Sequence, residues 1–340
     1  MSVRTVDWIE IHAVDHCNNN CRWCNNHSPF AKERFYEPEE YFHGLDELRR
    51  RRINFNVLSI IGGEPFLHPE LENFIFQIKS RYCRPIMLTT NIFWLSEIDV
   101  VCHLDLLKLV DILNVTLYPN IVKSLGGYEA AEHLLSKLRA LLPKTNVKPM
   151  RIEHVYRKLE FTREKMIVDK HCYNAECTNL MADGRLARCG PGAYAHLHPD
   201  APREFCESKD MFYDLKSDKR DFWHWKHQWP LDACAYCNHF QAIKSPWKVE
   251  KGVLRKKRYE SDYKMRIADR LAEAGAWAQA GRIYLAIAEE TGPDSLVYGK
   301  ISEAYRNLGQ PVLAEKFLNL SRKVSNVETA QGDCAESHVV

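Results

Sequence analysis

The alternation of strand-like and helical segments between Trp8 and about residue 155 is the feature that most restricts the fold of this chain. Short β-like runs, several of them apolar throughout, are separated by amphipathic helical stretches. This is the pattern of an α/β protein with a parallel sheet whose crossovers are helices. Ligands of such sheets collect at the carboxyl ends of the strands. The predicted strands cover residues 8–14, 56–61, 86–90, 112–117 and 148–155.

Charge and hydropathy argue against two classes of partner. The chain has 47 Lys and Arg against 45 Asp and Glu, so no global basic field draws it to nucleic acid or to an anionic membrane. The N-terminal segment lacks the apolar core of a signal peptide, and no stretch reaches the ~20 apolar residues that span a bilayer. We therefore expect a cytoplasmic protein, in which clustered cysteines more often bind metal or do redox chemistry than form disulfides.

Three cysteines follow the first predicted strand at the spacing C-x3-C-x2-C. Cys17, Cys21 and Cys24 lie on a loop short enough to direct three thiolates at one point. Three thiolates on a cluster of four irons leave one iron open, and that iron can bind the amino and carboxylate groups of S-adenosylmethionine (SAM). The alternative is a structural zinc site, for which His16 or His27 would be the fourth ligand.

Two sequence motifs in this half of the chain carry a family resemblance. CNNNCRWC, with Trp23 before the third cysteine, resembles the signature of the radical SAM superfamily. Gly62-Gly63-Glu64-Pro65, at the end of the second predicted strand, is similar to the GGEP motif of the same superfamily. Glycines there let the backbone approach a ligand closely, and a carboxylate can accept hydrogen bonds from the ammonium group of SAM. The two motifs occur in the expected order.

The resemblance implies a partial (βα)6 barrel over residues 1–160, with a 4Fe-4S cluster that binds SAM. The end of the third strand, Thr89-Thr90-Asn91, matches a position that often contacts SAM. The resemblance also implies an external one-electron reductant, such as flavodoxin or ferredoxin. The residues that it assigns to SAM binding are Trp23, Gly62, Gly63, Glu64, Pro65, Thr90 and Asn91.

Five further cysteines lie in a segment that has lost the strand and helix alternation. An Asp183-Gly184 turn predicts a β-hairpin that ends in Cys189, and Cys234 and Cys237 form a C-x2-C pair. The combination resembles the twitch domain, a short relative of the SPASM domain, and so implies an auxiliary 4Fe-4S cluster within residues 161–250. A zinc site made by the same cysteines is the alternative. The expected ligands are Cys172, Cys189, Cys234 and Cys237, with Cys177 as a competitor.

Residues 258–325 form an Ala-rich and Leu-rich helical segment that repeats with a period of 34. Ile267 corresponds to Ile301 and Gly275 to Gly309, a spacing that resembles tetratricopeptide repeats. Stacked helix pairs of this kind can bind a protein partner, and the alternative is a helical cap that shields the preceding domain. We predict a disordered tail over residues 326–340.

The two predicted clusters indicate a redox reaction. The resemblance implies that a 5'-deoxyadenosyl radical abstracts hydrogen from the substrate, and an auxiliary cluster could take the electron that remains. Enzymes similar to this architecture include dehydrogenases, dehydratases and epimerases of aminocyclitols and aminoglycosides, so the expected substrate is a carbohydrate-like small molecule. Arg151, on the fifth predicted strand, would orient it from the barrel lumen or lie at the surface. The alternatives are a peptide- or protein-modifying maturase and a zinc-stabilised helical-repeat adaptor.

Overall fold

The computed structural model describes residues 4–95, 100, 102–152, 156–250 and 256–335. The chain divides into two compact units, Met1–Leu254 and Arg255–Val340. The sequence predicts a further boundary at residue 160, whereas the structure places the barrel segment and the cysteine-rich segment in the same first unit. Within the described residues, no helix combines the length and the apolar character needed to cross a membrane.

Ten strands are formed by the described residues of the first unit. They are β1 (Thr5–Val14), β2 (Asn54–Gly62), β3 (Ile86–Thr90), β4 (Ile112–Leu117), β5 (Asn146–Arg151), β6 (Tyr156–Arg157), β7 (Asn179–Leu180), β8 (Arg185–Ala187), β9 (Phe212–Asp214) and β10 (Lys244–Ser245). Eight of them make one sheet in the order β5-β4-β3-β2-β1-β7-β8-β9, and β6 pairs with β10. Strands β1 to β5 pair in parallel, as the sequence predicts.

Helices connect and cover these strands. Among the described residues of the first unit, the structure has helices α1 (Glu39–Arg50), α2 (Leu71–Tyr82), α3 (Leu104–Lys108), α4 (Pro119–Ser124), α5 (Tyr128–Leu141), α6 (Gly190–Ala193), α7 (Arg203–Cys206) and α8 (Phe222–His227). Helix α1 shows how the sequence encodes them. Tyr41, Leu45 and Leu48 recur at steps of four and three residues and form its buried side. Two acidic residues in its first turn and two arginines in its last turn suit the helix dipole.

The two faces of the parallel strands have different surroundings. On one face Ile11, Ile60 and Leu88 are fully buried, and the buried sides of α1, α2 and α5 complete this core. On the other face Glu10 of β1 is in register with Ser59 of β2. Because side chains alternate along a strand, this second face carries a separate set of side chains, which is more polar. It is the face on which the candidate site lies.

The cysteine-rich segment extends the main sheet beyond β1. Glu10 of β1 pairs in parallel with Asn179 of β7, and β7, β8 and β9 follow in antiparallel order. The predicted hairpin around Asp183 and Gly184 is therefore present, and Gly184 takes a positive φ of 83° in its turn. The prediction of a separate domain misses this arrangement, because the pairing between β1 and β7 joins residues far apart in the sequence.

The described residues of the second unit form four helices. They are α9 (Lys256–Glu273), α10 (Trp277–Thr291), α11 (Ser295–Asn307) and α12 (Pro311–Ala335). Gly275 and Gly309, which are 34 residues apart, both take positive φ after a helix. Ile267 and Ile301 are both buried. The unit therefore has two similar helix pairs; its assignment as tetratricopeptide repeats and the binding of a partner remain predictions.

The fifth predicted strand and the predicted tail differ from the structure at their C-terminal ends. The fifth strand ends at Arg151, and the predicted residues 153–155 lie outside the described part of the chain. Helix α12 continues to Ala335, into the segment for which the sequence predicts a disordered tail. A helix extends easily once begun, because each added residue gains a hydrogen bond without a new nucleation step. Residues 336–340 lie outside the described part.

Candidate active site

The first cysteine loop, residues 15–27, is fixed to the GGEP segment through the backbone. Pairing of β1 and β2 continues past the strand ends, since Gly63 N donates to Val14 O at 2.8 Å. A Cβ atom on Gly62 would lie 2.0 Å from Val14 O, and one on Gly63 would lie 1.7 Å from His16 O. Glycine is therefore required at both positions by contact with the chain itself, whereas the sequence suggests only the approach of a ligand.

The three cysteines of this loop line one cavity of about 340 Å³. Asn19 N donates to Cys17 Sγ at 3.2 Å, and Asn19 Nδ2 donates to Cys21 Sγ at 3.3 Å. The indole Nε1 of Trp247 also donates to Cys21 Sγ, at 3.1 Å. Hydrogen bonds of this kind stabilise thiolates and tune the potential of iron-sulfur clusters. The third cysteine, Cys24, lines the same cavity.

The electrostatics of these thiols suit a cationic metal. Burial raises the pKa of Cys17 well above its usual value, and the nearby Glu64 and Cys21 raise it further. Burial also raises the pKa of Cys24. Thiolates at these positions need a positive charge, which iron supplies. The donor set therefore fits the cluster that the sequence predicts.

Glu64 is a fully buried carboxylate that joins the ends of β2 and β3. Its oxygens accept hydrogen bonds from Thr90 Oγ1 at 2.7 Å, Asn91 N at 2.7 Å and Phe66 N at 3.2 Å. Burial raises the pKa of Glu64 to about 7, and these hydrogen bonds oppose the rise. The sequence suggests contact with the ammonium group of SAM, but the structure directs the carboxylate to the end of β3. Glu64 is therefore a positioning residue.

The end of β3 borders the first cavity. Thr90 and Asn91 both line it, together with the GGEP glycines. Asn91 Nδ2 donates to Asn18 Oδ1 of the first cysteine loop at 2.8 Å, so β3 and that loop are held together. Pro65 is buried at the start of the 3-10 turn Pro65–Leu67, where it supports the GGEP backbone and does not line the cavity.

Two predicted site residues lie away from this cavity. Trp23 packs against the apolar core of the cysteine-rich segment and lines a different cavity, of about 530 Å³. Arg151 is in register with Leu117, so it shares the face that the helices cover. Its guanidinium lies 5.0 Å from the centre of the Tyr128 ring. The lumen position of Arg151 is excluded, because alternation along β5 turns Met150 to the cavity instead.

Four of the five cysteines in the second group surround one small, mainly apolar cavity of about 30 Å³. The fifth, Cys177, lines the first cavity instead. Such a space exceeds the ~10–15 Å³ that one water molecule needs. The four cysteines are Cys172, Cys189, Cys234 and Cys237.

The thiols of the second group would also need a cation in order to ionise. Burial raises the pKa of Cys234 to about 11 and that of Cys237 to about 12, and neighbouring thiols contribute to both rises. Gly192 N donates to Cys189 Sγ at 3.3 Å. Four thiolates around one space repel each other unless metal lies between them. Within the described residues, no group of three or more His, Cys, Asp and Glu side chains is arranged so that it could hold a metal ion.

The two cavities share part of a wall. Asn174 and Pro191 line both of them. Asn174 belongs to the 3-10 turn Tyr173–Glu176, directly after Cys172, and Pro191 lies in α6, directly after the hairpin. At these two positions, a single residue separates the first cysteine site from the second.

The segment that forms the first cavity also matches a known protein family. The model of the radical SAM superfamily matches residues 11–118, which run from β1 through the first cysteine loop and the GGEP segment to the end of β4. Residues 11–118 are a radical SAM domain. Cys17, Cys21, Cys24, Gly62 and Gly63 all lie within the matched residues. The second cysteine group lies outside the match.

Curated relatives of the chain are GTP 3',8-cyclases. That of Sulfurimonas denitrificans is 27% identical over 179 residues, which are 48% of this chain and 54% of the relative. That of a Sulfurovum species is 32% identical over 28% of this chain and 29% of the relative. That of a Cyanothece species is 26% identical over 36% of this chain and 38% of the relative. The chain thus spans about half, or less, of the length of each.

Two solved structures resemble the chain weakly. BtrN in complex with AdoMet and 2-DOIA has a TM-score of 0.43 and 14% identity, over 70% of this chain and 94% of that one. Streptococcus suis SuiB bound to S-adenosylmethionine has a TM-score of 0.33 and 12% identity, over 68% of each chain.

The fold brings several further residues to the first cavity or to its cysteines, and their positions could not be read from the two motifs. Tyr118, at the end of β4, hydrogen-bonds to Cys21, and Trp247 approaches the same sulfur from a distant part of the chain. Asn174 arrives with the second cysteine group. Glu10 is the one that a sequence signal could have found, since a carboxylate in the apolar strand 9–14 requires an explanation.

Proposed function

We propose that this protein is a radical SAM enzyme with two 4Fe-4S clusters that takes a hydrogen atom from a carbohydrate-like substrate. Dehydrogenation, dehydration and epimerisation are the candidate outcomes. The observation that carries the proposal is that Cys17, Cys21 and Cys24 line one cavity with Gly62 and Gly63. When bound there, the cluster and SAM supply a 5'-deoxyadenosyl radical that abstracts hydrogen.

The side chains around the first cysteine loop position the cluster ligands and the cofactor. Asn19 and Trp247 direct N–H groups at the sulfurs of Cys17 and Cys21, which favours the thiolate form that binds iron. Asn91 holds the loop against β3, and Glu64 holds Asn91. We assign SAM to the part of the cavity between the loop and the GGEP glycines, where the backbone can approach a ligand.

We assign the auxiliary cluster to Cys172, Cys189, Cys234 and Cys237. The support is that all four line one cavity and that their thiolates would repel each other without a metal between them. Cys177 is left as a free thiol in the first cavity. Because Asn174 and Pro191 border both cavities, a cluster held by these four cysteines would adjoin the first cavity and could serve as an electron acceptor for the substrate. This favours a net oxidation.

A nucleoside triphosphate is the second candidate substrate, because the curated relatives are GTP 3',8-cyclases. Proteins recognise phosphate groups chiefly with Arg, Lys and backbone N–H groups. Among the described residues that line the first cavity, none is Arg or Lys, and Glu10 is the only carboxylate. The charge of the cavity therefore favours a neutral or cationic substrate over a triphosphate.

Two partners complete the proposal. An external one-electron reductant, such as flavodoxin or ferredoxin, is needed because SAM cleavage consumes an electron. The helix pairs of the second unit are proposed to hold a protein partner, on the strength of their 34-residue repeat, and shielding of the first unit is the alternative.

Anaerobic reconstitution with iron and sulfide analysis tests the proposal. The parent should bind about eight irons and cleave SAM with a reductant. Cys17→Ala and Cys234→Ala should each lose about half of the iron, and only Cys17→Ala should abolish SAM cleavage. Cys177→Ala is the matched control and should keep all of its iron. Stoichiometric zinc without SAM cleavage would contradict the proposal and leave a zinc-stabilised adaptor.

A further inference from the structure

Glu10 is a carboxylate deep in the first unit that remains open to the first cavity. It lies on β1, on the sheet face away from the helices, and its side chain lines the cavity. The cysteines of the first loop follow the carboxyl end of the same strand. Glu10 therefore lies several strand residues, at ~3.3 Å each, from the end of the cavity that the first cysteine loop forms and to which we assign SAM.

The hydrogen bonds that Glu10 receives come from neutral groups. Trp8 Nε1 donates to Glu10 Oε1 at 3.2 Å. With its amide oriented to satisfy both of its contacts, Asn179 donates to Glu10 Oε2 at 3.2 Å and accepts from Gly190 N at 3.3 Å. No ion pair of Glu10 is found within the described part of the chain. A half-buried carboxylate without a cation still loses part of its hydration, and burial raises the pKa of Glu10 to about 7.

Other polar groups of the cavity suit a hydroxylated ligand. Asn174 is 4% exposed, and its Nδ2 has no hydrogen-bond partner among the described residues. An amide that is buried without a partner is expensive unless a ligand or water completes it. Thr89, Thr116 and Asn25 also line the cavity. A cavity with one carboxylate and several neutral polar groups suits a ligand with one positive charge and several hydroxyl groups.

We propose that Glu10 binds the protonated amino group of the substrate, which is therefore a polyhydroxylated primary amine rather than a neutral sugar or a phosphorylated nucleoside. This inference rests on the proposed function and narrows its substrate class. The ammonium group supplies the cation that Glu10 lacks. The Asn174 amide donates to a hydroxyl oxygen of the same molecule. In this arrangement Glu10 is a specificity residue that fixes which carbon of the substrate faces the SAM end of the cavity.

Equilibrium binding to the reconstituted, SAM-loaded protein under anaerobic conditions tests the inference. The probes are glucosamine, glucose and glucose 6-phosphate, which place a cation, no charge and an anion on the same ring. The parent should prefer glucosamine over glucose, and Glu10→Gln should weaken glucosamine binding about ten- to hundredfold while changing glucose binding little. Glu164→Gln removes a carboxylate from an exposed loop and is the matched control. Glu10→Asp keeps the charge and should retain part of the preference.

The outcomes separate this inference from the proposed function. Iron content equal to that of the parent establishes that each variant is folded and loaded. Equal binding of glucosamine and glucose, a preference that survives in Glu10→Gln, or no measurable glucosamine binding by a parent that cleaves SAM would overturn the inference alone. A parent that holds no iron and cleaves no SAM would instead overturn the proposed function.

Discussion

Replacement of Glu10 by glutamine is expected to stabilise the first unit at neutral and alkaline pH. The pKa of Glu10 is about 7 in the folded chain, because of burial, against a usual value of 4.5. Between these two pH values the folded state binds more protons than the unfolded state, so the free energy of unfolding falls as pH rises. At ~1.4 kcal/mol for each pH unit between the two pKa values, the cost reaches about 3 kcal/mol above pH 7.

Glutamine avoids this cost and keeps the shape of the side chain. Its carbonyl oxygen can still accept from Trp8 Nε1, but the contact with Asn179 is lost, because an Asn179 amide turned to accept from the new NH2 group would no longer accept from Gly190 N. The stability of Glu10→Gln relative to that of the parent should therefore rise by up to about 3 kcal/mol between about pH 4.5 and about pH 8. Water that enters the cavity reduces this difference. Such a gain in stability with a loss of binding is typical of functional residues.

Urea unfolding at a series of pH values, followed by tryptophan fluorescence, measures the difference. Seven of the eight tryptophans lie within Met1–Leu254, so the signal reports chiefly on the first unit. Glu164→Gln is again the control, because its carboxylate is exposed. A stability difference that does not change with pH, or a Glu10→Gln variant that is less stable than the parent at about pH 8, would refute the reasoning.

Three other substitutions test the architecture of the site. Gly63→Ala places a Cβ 1.7 Å from His16 O and should displace the first cysteine loop, so that about half of the iron is lost. Gly299→Ala is the control and should keep all of its iron, because its Cβ would meet nothing closer than 3.8 Å. Thr90→Val removes the 2.7 Å hydrogen bond to buried Glu64 and should cost about 1–3 kcal/mol in urea unfolding; no change would contradict its role. Arg151→Ala should leave SAM cleavage and substrate turnover unchanged, because Arg151 lies on the face that the helices cover. A large loss of kcat would contradict this placement outside the active site.

The parallel strands and the first cysteine site could be predicted because their signals are local. Strands β3 and β4 have the predicted bounds, and Cys17, Cys21 and Cys24 lie within one short loop. The hairpin around Gly184 could also be predicted, since a turn with positive φ favours glycine. In each case the residues that form the structure lie within a few positions of one another.

The division of the later cysteines could not be predicted from their spacing. Cys172 and Cys177 are five residues apart, yet one lines the second cavity and the other lines the first. The 3-10 turn between them and the pairing of β7 with β1 decide which way each thiol faces. That pairing joins residues 10 and 179, and a contact over such a distance leaves no mark in the local pattern.

The sequence by itself determined the α/β alternation, the two cysteine groups and the radical SAM domain, because these depend on periodicity and on spacing within short segments. Only the tertiary structure decided which side chains meet in the first cavity. The register between β4 and β5 turns Arg151 away from the first cavity, and the register between β1 and β2 turns Glu10 towards it. The physical reason is that strand pairing decides on which face of the sheet a side chain lies. A shift of one residue in the register moves that side chain to the opposite face.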